Sequence, residues 1–231
     1  MLKAKDIHKK YKQPVLRGVC LDAYPGEIIG IAGENGSGKS TLLSIITGIT
    51  PPNAGNVYYN NENIYKKPKL LKQLVGYVPQ ENSLFENLTA IDNLKLWASA
   101  YGSNWKNALP NLSADDSFLK KKVSKLSGGM KKRLSIAISL THEPGCLILD
   151  EPSAGLDIGF RRSLMDTMVR LKNQGKCVVF TSHSPDELLL CDRIYVLKDG
   201  VFVYCGPPRE LQSEPGAESG FTAALWQIMG S

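Results

Sequence analysis

One short glycine-rich stretch restricts this chain more than any other feature. Residues 33–41 read Gly33-Glu34-Asn35-Gly36-Ser37-Gly38-Lys39-Ser40-Thr41, which fits G-x-x-x-x-G-K-[ST]. The flanks narrow the choice further. Residues 27–33 form an Ile- and Ala-rich run of buried-strand type, and residues 39–47 carry Leu42, Leu43, Ile45 and Ile46 at helical spacing. A loop between strand and helix presents the unpaired N–H groups of a helix start to an anion. Glycines let that backbone close around phosphate oxygens without Cβ clashes. Lys39 is then placed to reach β- and γ-phosphates, and the Ser40 hydroxyl can ligate Mg²⁺. The loop indicates a nucleotide binder and leaves open which kind.

A second segment fits the first. Cys146-Leu147-Ile148-Leu149-Asp150-Glu151 reads as a buried strand ending in two carboxylates. Beside a phosphate loop, Asp150 suits a Mg²⁺ ligand. Glu151 suits a general base that polarises the attacking water. Acidic pairs at strand ends are common, so the phosphate loop is what gives this pair meaning.

The rest of the chain alternates strands and helices, which predicts an α/β core with a parallel sheet. Strands are expected over residues 2–7, 15–23, 56–59, 74–79 and 176–181, with a hairpin over 193–204 turning at Asp199-Gly200. Residues 80–141 read as a mostly helical insert, with Thr89 as an N-cap. Residues 103–117 and the tail after Pro207 read as weakly organised, up to a short helix over 221–229. The division expected is core 1–79 and 142–206, helical subdomain 80–141 and tail 207–231.

Composition excludes little. The chain has 231 residues, 42% hydrophobic and 22% charged, which suits one sizeable globular domain. A net charge of +6 is compatible with nucleic acid, an anionic membrane surface or a polyphosphate ligand. No apolar run approaches the roughly 20 residues needed to cross a bilayer, and no secretory leader is expected. Cys20, Cys146, Cys177, Cys191 and Cys205 show no metal-ligand spacing and are read as free, buried thiols. Lys120, Lys121, Lys122, Lys125, Lys131, Lys132 and Arg133 read as a solvated basic face.

Five further segments, in order, make the chain resemble the ABC ATPase family. Leu126-Ser127-Gly128-Gly129-Met130 resembles the family signature, with Met130 in place of the usual Gln. Gln80 resembles the Q-loop glutamine, Ser153-Ala154-Gly155-Leu156-Asp157 the D-loop, His183 the switch histidine, and Tyr11 the aromatic that stacks on adenine. The resemblance covers nearly the whole chain.

It implies a P-loop NTPase core with a parallel sheet, an N-terminal antiparallel β subdomain and a helical signature subdomain. It further implies a head-to-tail dimer enclosing two ATP molecules. Each would lie between the phosphate loop of one copy and Ser127, Gly128, Gly129 and Asp157 of the other. Glu151 would activate water, His183 would contact the γ-phosphate, and Gln80 would touch Mg²⁺ or the water. Transport ATPases of this kind work on a transmembrane permease, so the expected location is cytoplasmic, peripheral on the inner face of the cell membrane. The second copy would be identical or related. Export is favoured over import. The alternative is a soluble ABC ATPase acting on nucleic acid or ribosomes, against which a single phosphate loop and the lack of a heptad run both count, so no direct nucleic-acid contact is expected.

Overall fold

The computed structural model describes residues 1–112, 117–211 and 220–230. Residues 113–116 and 212–219, within the two stretches read as weakly organised, lie outside the described residues. The elements run β1 (Leu2–Lys10), β2 (Pro14–Ala23), β3 (Ile28–Ala32), α1 (Lys39–Ile46), β4 (Ala54–Tyr59), β5 (Glu62–Asn63), α2 (Pro68–Leu74), β6 (Val75–Val78) and α3 (Ala90–Tyr101). After three 3₁₀ turns come α4 (Gly128–Ser139), β7 (Cys146–Leu149), α5 (Ile158–Asn173), β8 (Cys177–Thr181) and α6 (Pro185–Leu188). The chain closes with β9 (Arg193–Lys198), β10 (Val201–Gly206), α7 (Pro208–Leu211) and α8 (Phe221–Gly230). Sequence periodicity missed α2, whose proline starts a helix at its first position.

Two sheets result. The larger runs β10-β9-β3-β8-β7-β6, and the smaller β2-β1-β4-β5. In the larger sheet β9, β3, β8, β7 and β6 are mutually parallel, and β10 returns antiparallel on the edge. Every residue of β3, β7 and β8 is buried, as expected of parallel strands covered on both faces. Alternation at period two sorts their side chains between two cores. Ile29, Ile31 and Ile148 join α1 and the inner face of the small sheet. Ile28, Leu147 and Leu149 join Phe160, Leu164 and Met168 of α5 and Phe221 and Leu225 of α8. Each fully buried Leu or Ile contributes about 1.5–3 kcal/mol. A third apolar cluster joins α3 to α4 through Ala90, Leu94, Leu134 and Ala137, with Phe118 and Val123 between them.

Two expectations need correction. Cys20 and Cys205 are exposed, whereas Cys146, Cys177 and Cys191 are buried, and all five are free. The exposed pair occupy outward positions of β2 and β10, strands with only one face on the core. The basic run is not uniformly solvated either. Lys132 is 4% exposed, because it lies on the side of α4 that faces the sheet.

The architecture sets up a site through register alone. Val78 pairs with Leu149, Leu149 with Phe180, and Ile31 with Thr181. The carboxyl ends of β6, β7, β8 and β3 are therefore level and adjacent. The segments that follow them begin at Pro79, Asp150, Ser182 and Gly33. Ligands of open parallel sheets sit at such carboxyl ends.

Candidate active site

The phosphate loop closes by fitting glycine where nothing larger is accommodated. At Gly33 a Cβ would meet the Leu197 carbonyl oxygen at 2.3 Å. At Gly38, φ is +111° and a Cβ would press on Leu16 and Val15 of β2. Gly38 is also the N-cap of α1 and supplies no side-chain cap, leaving the first N–H groups of the helix to an outside acceptor. Ser37 Oγ is buried and has no hydrogen-bond partner among the described residues. Such an orphan is costly unless a ligand completes it. Asn35 and Ser40 are exposed at the loop surface, and Thr41 is half-buried in the first turn of α1.

Lys39 turns back over this loop. Its Nζ donates to the carbonyls of Gly33 at 2.7 Å and Glu34 at 3.0 Å, and lies 4.0 Å from Glu151 Oε1. Burial pulls the Lys39 pKa down, and the Glu151 and Asp150 carboxylates partly restore it. A buried ammonium among carbonyls and carboxylates is poised for an anionic partner.

Glu151 stands at the centre. Its Oε1 accepts from His183 Nε2 at 2.7 Å and its Oε2 from Gln80 Nε2 at 3.2 Å. The backbone there is left-handed, φ +42°, which costs a side-chain-bearing residue about 1–2 kcal/mol. Thr181 holds it. The Glu151 amide donates to Thr181 Oγ1 at 2.7 Å, and the same hydroxyl donates to Asp150 Oδ1 at 2.8 Å. Asp150 is 3% exposed. One threonine thus holds the Asp150 carboxylate and the Glu151 backbone, a role that no sequence motif signals.

Lys39, Gln80, Asp150, Glu151 and His183 come together in one copy. Ser127, Gly128, Gly129 and Asp157 form a second group. Ser127 caps α4, accepting from the Met130 amide at 3.3 Å, and Asp157 caps α5, accepting from the Phe160 amide at 2.8 Å. A Cβ at Gly128 would lie 3.3 Å from Leu156, and one at Gly129 3.3 Å from Phe160. The two helix starts are therefore packed together, a pair of N–H clusters suited to an anion. Among the described residues no hydrogen bond or ion pair joins this group to the Lys39–Glu151 cluster. Met130 packs its thioether against the α3–α4 apolar cluster.

Tyr11 sits on the turn between β1 and β2, 58% exposed, with Lys9 Nζ 5.1 Å from its ring centroid. The start of β2 abuts the phosphate loop through Val15 and Gly38. A separate cavity of about 590 Å³ opens between the large sheet and the α3–α4 segment, lined by Leu71, Tyr77, Leu84, Trp97, Tyr101 and Ile138 among others.

Fold and site together define a P-loop nucleotide hydrolase: a parallel sheet, a glycine loop at a helix start, and a carboxylate pair one strand removed. Comparison with known proteins narrows this. The sequence model of the ABC transporter family matches residues 16–154. The linearmycin resistance ATP-binding protein LnrL of Bacillus subtilis is 36% identical over 227 residues, covering 95% of this chain and 73% of that protein. The Nod factor export ATP-binding protein I of Rhizobium etli is 33% identical over 217 residues, covering 90% and 69%. A dimeric ATP-binding cassette in a post-hydrolysis state, bound to ADP and phosphate, superposes with a TM-score of 0.82 at 29% identity, covering 90% of this chain and 98% of that one. The chain belongs to the ABC transporter family, as an ATP-binding subunit that hydrolyses ATP.

Proposed function

We propose that this chain turns over Mg-ATP in a head-to-tail dimer and thereby drives a solute through a separate transmembrane permease, with export as the direction. The observation that carries the reading is the Glu151 carboxylate, held between His183 Nε2 at 2.7 Å, Gln80 Nε2 at 3.2 Å and the buried Lys39 ammonium at 4.0 Å. A carboxylate held by three groups can take a proton from water while those groups fix its orientation. In this reading Lys39 and the amides of Gly36, Ser37 and Gly38 bind the triphosphate, with Ser37 Oγ gaining the partner it lacks. His183 meets the γ-phosphate, and Tyr11 stacks on adenine.

Magnesium fits the oxygens present. Ser40 and Asp150, with Gln80, would hold it, and it would neutralise charge on the phosphates when bound. Thr181 keeps Asp150 aimed and buried in the meantime. Ser127, Gly128, Gly129 and Asp157 of a facing copy would complete the cage, so that ATP favours the closed pair and its hydrolysis releases it.

The permease reading draws on the relatives named for resistance and export, and on the apolar cavity beside Gln80's loop. The segment 80–141 would carry that coupling as a subdomain of its own, and the assembly would sit on the cytoplasmic face of the membrane. Among the described residues no helix is long and apolar enough to cross a bilayer. The test is the Glu151→Gln variant. It should bind Mg-ATP, dimerise with it in size-exclusion chromatography and scarcely hydrolyse it. Wild-type turnover in that variant would remove Glu151 from the role of base. Retention on nucleic acid at moderate salt, without co-purification of a multi-span protein, would favour the soluble alternative.

A further inference from the structure

The helix that begins at the signature also grips the loop that carries Gln80. Lys132, in the second turn of α4, donates from Nζ to the carbonyls of Pro79 at 3.0 Å and Gln80 at 2.8 Å. Two neighbours on the same helix hold the same loop. Lys131 Nζ pairs with Glu86 at 2.8 Å, and Ser135 Oγ donates to Asn82 Oδ1 at 3.1 Å. Of the three contacts, Lys132 is the one made by a buried charge. Its side chain is 4% exposed, and Asp150 is the carboxylate that acts on it electrostatically.

A buried ammonium is a costly way to hold a loop unless its geometry is needed. Here it fixes the two peptide carbonyls that flank the Gln80 Cα on its N-terminal side and at Gln80 itself. The Gln80 side chain then reaches Glu151 Oε2 at 3.2 Å. A continuous chain of contacts runs from α4 through Lys132, the Gln80 backbone and the Gln80 amide to the Glu151 carboxylate.

We infer that Lys132 is a positioning residue for hydrolysis, locking Gln80 against Glu151 and tying that contact to the placement of the signature helix. It touches neither nucleotide nor the reacting atoms. The inference rests on the reading of Glu151 as the base, and adds a specific mechanical link to it. A shift of α4, as a facing copy engages its N-terminus, moves Lys132 and with it the Gln80 amide. A purely structural lysine would stabilise the fold without regard to Gln80.

A double-mutant cycle separates the two. The kcat and KM of Mg-ATP hydrolysis are measured for wild type, Lys132→Met, Gln80→Ala and the double variant, with melting temperatures for each. Lys132→Met should lower kcat about tenfold, as losing part of one transition-state contact does, with KM changed less than twofold. In the Gln80→Ala background the same substitution should change kcat less than twofold. An equal loss in both backgrounds, or no loss in either, overturns the inference. If Lys132→Met does not fold, Lys132→Arg and Lys132→Gln decide. Arginine keeps a charged donor long enough to reach both carbonyls and should restore kcat, while the shorter, neutral glutamine should not; equal activities overturn the inference. Failure of the underlying reading has a different signature, wild-type turnover in Glu151→Gln.

Discussion

Thr181 Oγ1 donates to Asp150 Oδ1 at 2.8 Å and in the same place accepts the Glu151 amide at 2.7 Å. Replacing this hydroxyl with a methyl leaves a buried amide and a buried carboxylate each short of a partner. Thr181→Val should cost about 1–3 kcal/mol of folding stability, measured by urea denaturation. It should also raise the Mg²⁺ concentration needed for half-maximal ATPase rate. Thr181→Ser, which keeps the hydroxyl, should stay close to wild type in both. A Val variant with unchanged magnesium dependence would show that Asp150 needs no such anchor.

Gly33 and Gly36 should respond unequally to alanine. A Cβ at Gly33 meets backbone at 2.3 Å, whereas at Gly36 it meets nothing within 4 Å among the described residues. Gly36→Ala faces only its φ of +85°, a strain of about 1–2 kcal/mol. Binding of a fluorescent ATP analogue should therefore be abolished by Gly33→Ala and merely weakened by Gly36→Ala.

Lys39 gives a pH signature in the nucleotide-free protein. Its folded pKa lies below the ordinary 10.5 because burial disfavours the charged form, with Glu151 and Asp150 opposing. Well below the folded pKa both states are protonated and the full penalty is present. As pH rises from the folded pKa towards 10.5, the folded state loses its proton first. The unfolded state then binds more protons, so stability increases with pH. Tyr65 and Tyr77, each pushed up to about 12 by burial, act in the opposite sense above pH 10. The clean observable is the stability difference between wild type and Lys39→Met, which should narrow as pH rises through the lowered folded pKa towards 10.5. The same variant should lose the thermal shift that Mg-ATP produces.

Charge can separate the capping role of Asp157 from the interface role proposed for it. As N-cap of α5 it accepts the Phe160 amide at 2.8 Å. Asp157→Ala should therefore cost about 1 kcal/mol in the monomer, read by thermal melting without nucleotide. Asp157→Asn keeps the cap and removes the charge. If Asp157 faces a second copy, the Asn form should melt like wild type and yet dimerise with altered ATP dependence in the Glu151→Gln background. Identical dimerisation would confine Asp157 to capping.

How much of this was legible in the residues differs from part to part. The phosphate loop was readable because its chemistry is local. A strand, three spaced glycines and a lysine lie close together along the chain, and their geometry follows from backbone freedom and helix polarity. The acidic strand end was readable for the same reason. Buried β3, β7 and β8 announced themselves as unbroken apolar runs. Helix α2 escaped because Leu70, Leu71 and Leu74 within a lysine-rich segment give too short a pattern. Cys20 and Cys205 were misjudged because a strand with one wet face also carries apolar residues outward.

Lys132 marks the limit of such reading. In the sequence it is one of seven basic residues around the signature, and nothing local sets it apart. Only the packing of α4 on the sheet turns that lysine inward to the Pro79 and Gln80 carbonyls. Thr181 is the same kind of case, a strand-end hydroxyl whose value comes from the neighbouring strand. By itself the sequence determined the nucleotide loop, the carboxylate pair and the alternation that makes a parallel sheet, because each depends on residues adjacent along the chain. The level ends of β3, β8, β7 and β6, and the contacts that bring His183, Gln80 and Lys39 to one carboxylate, were decided by tertiary structure. They depend on strand order and register, which join residues as far apart as Lys39 and His183 and which local chemistry does not encode.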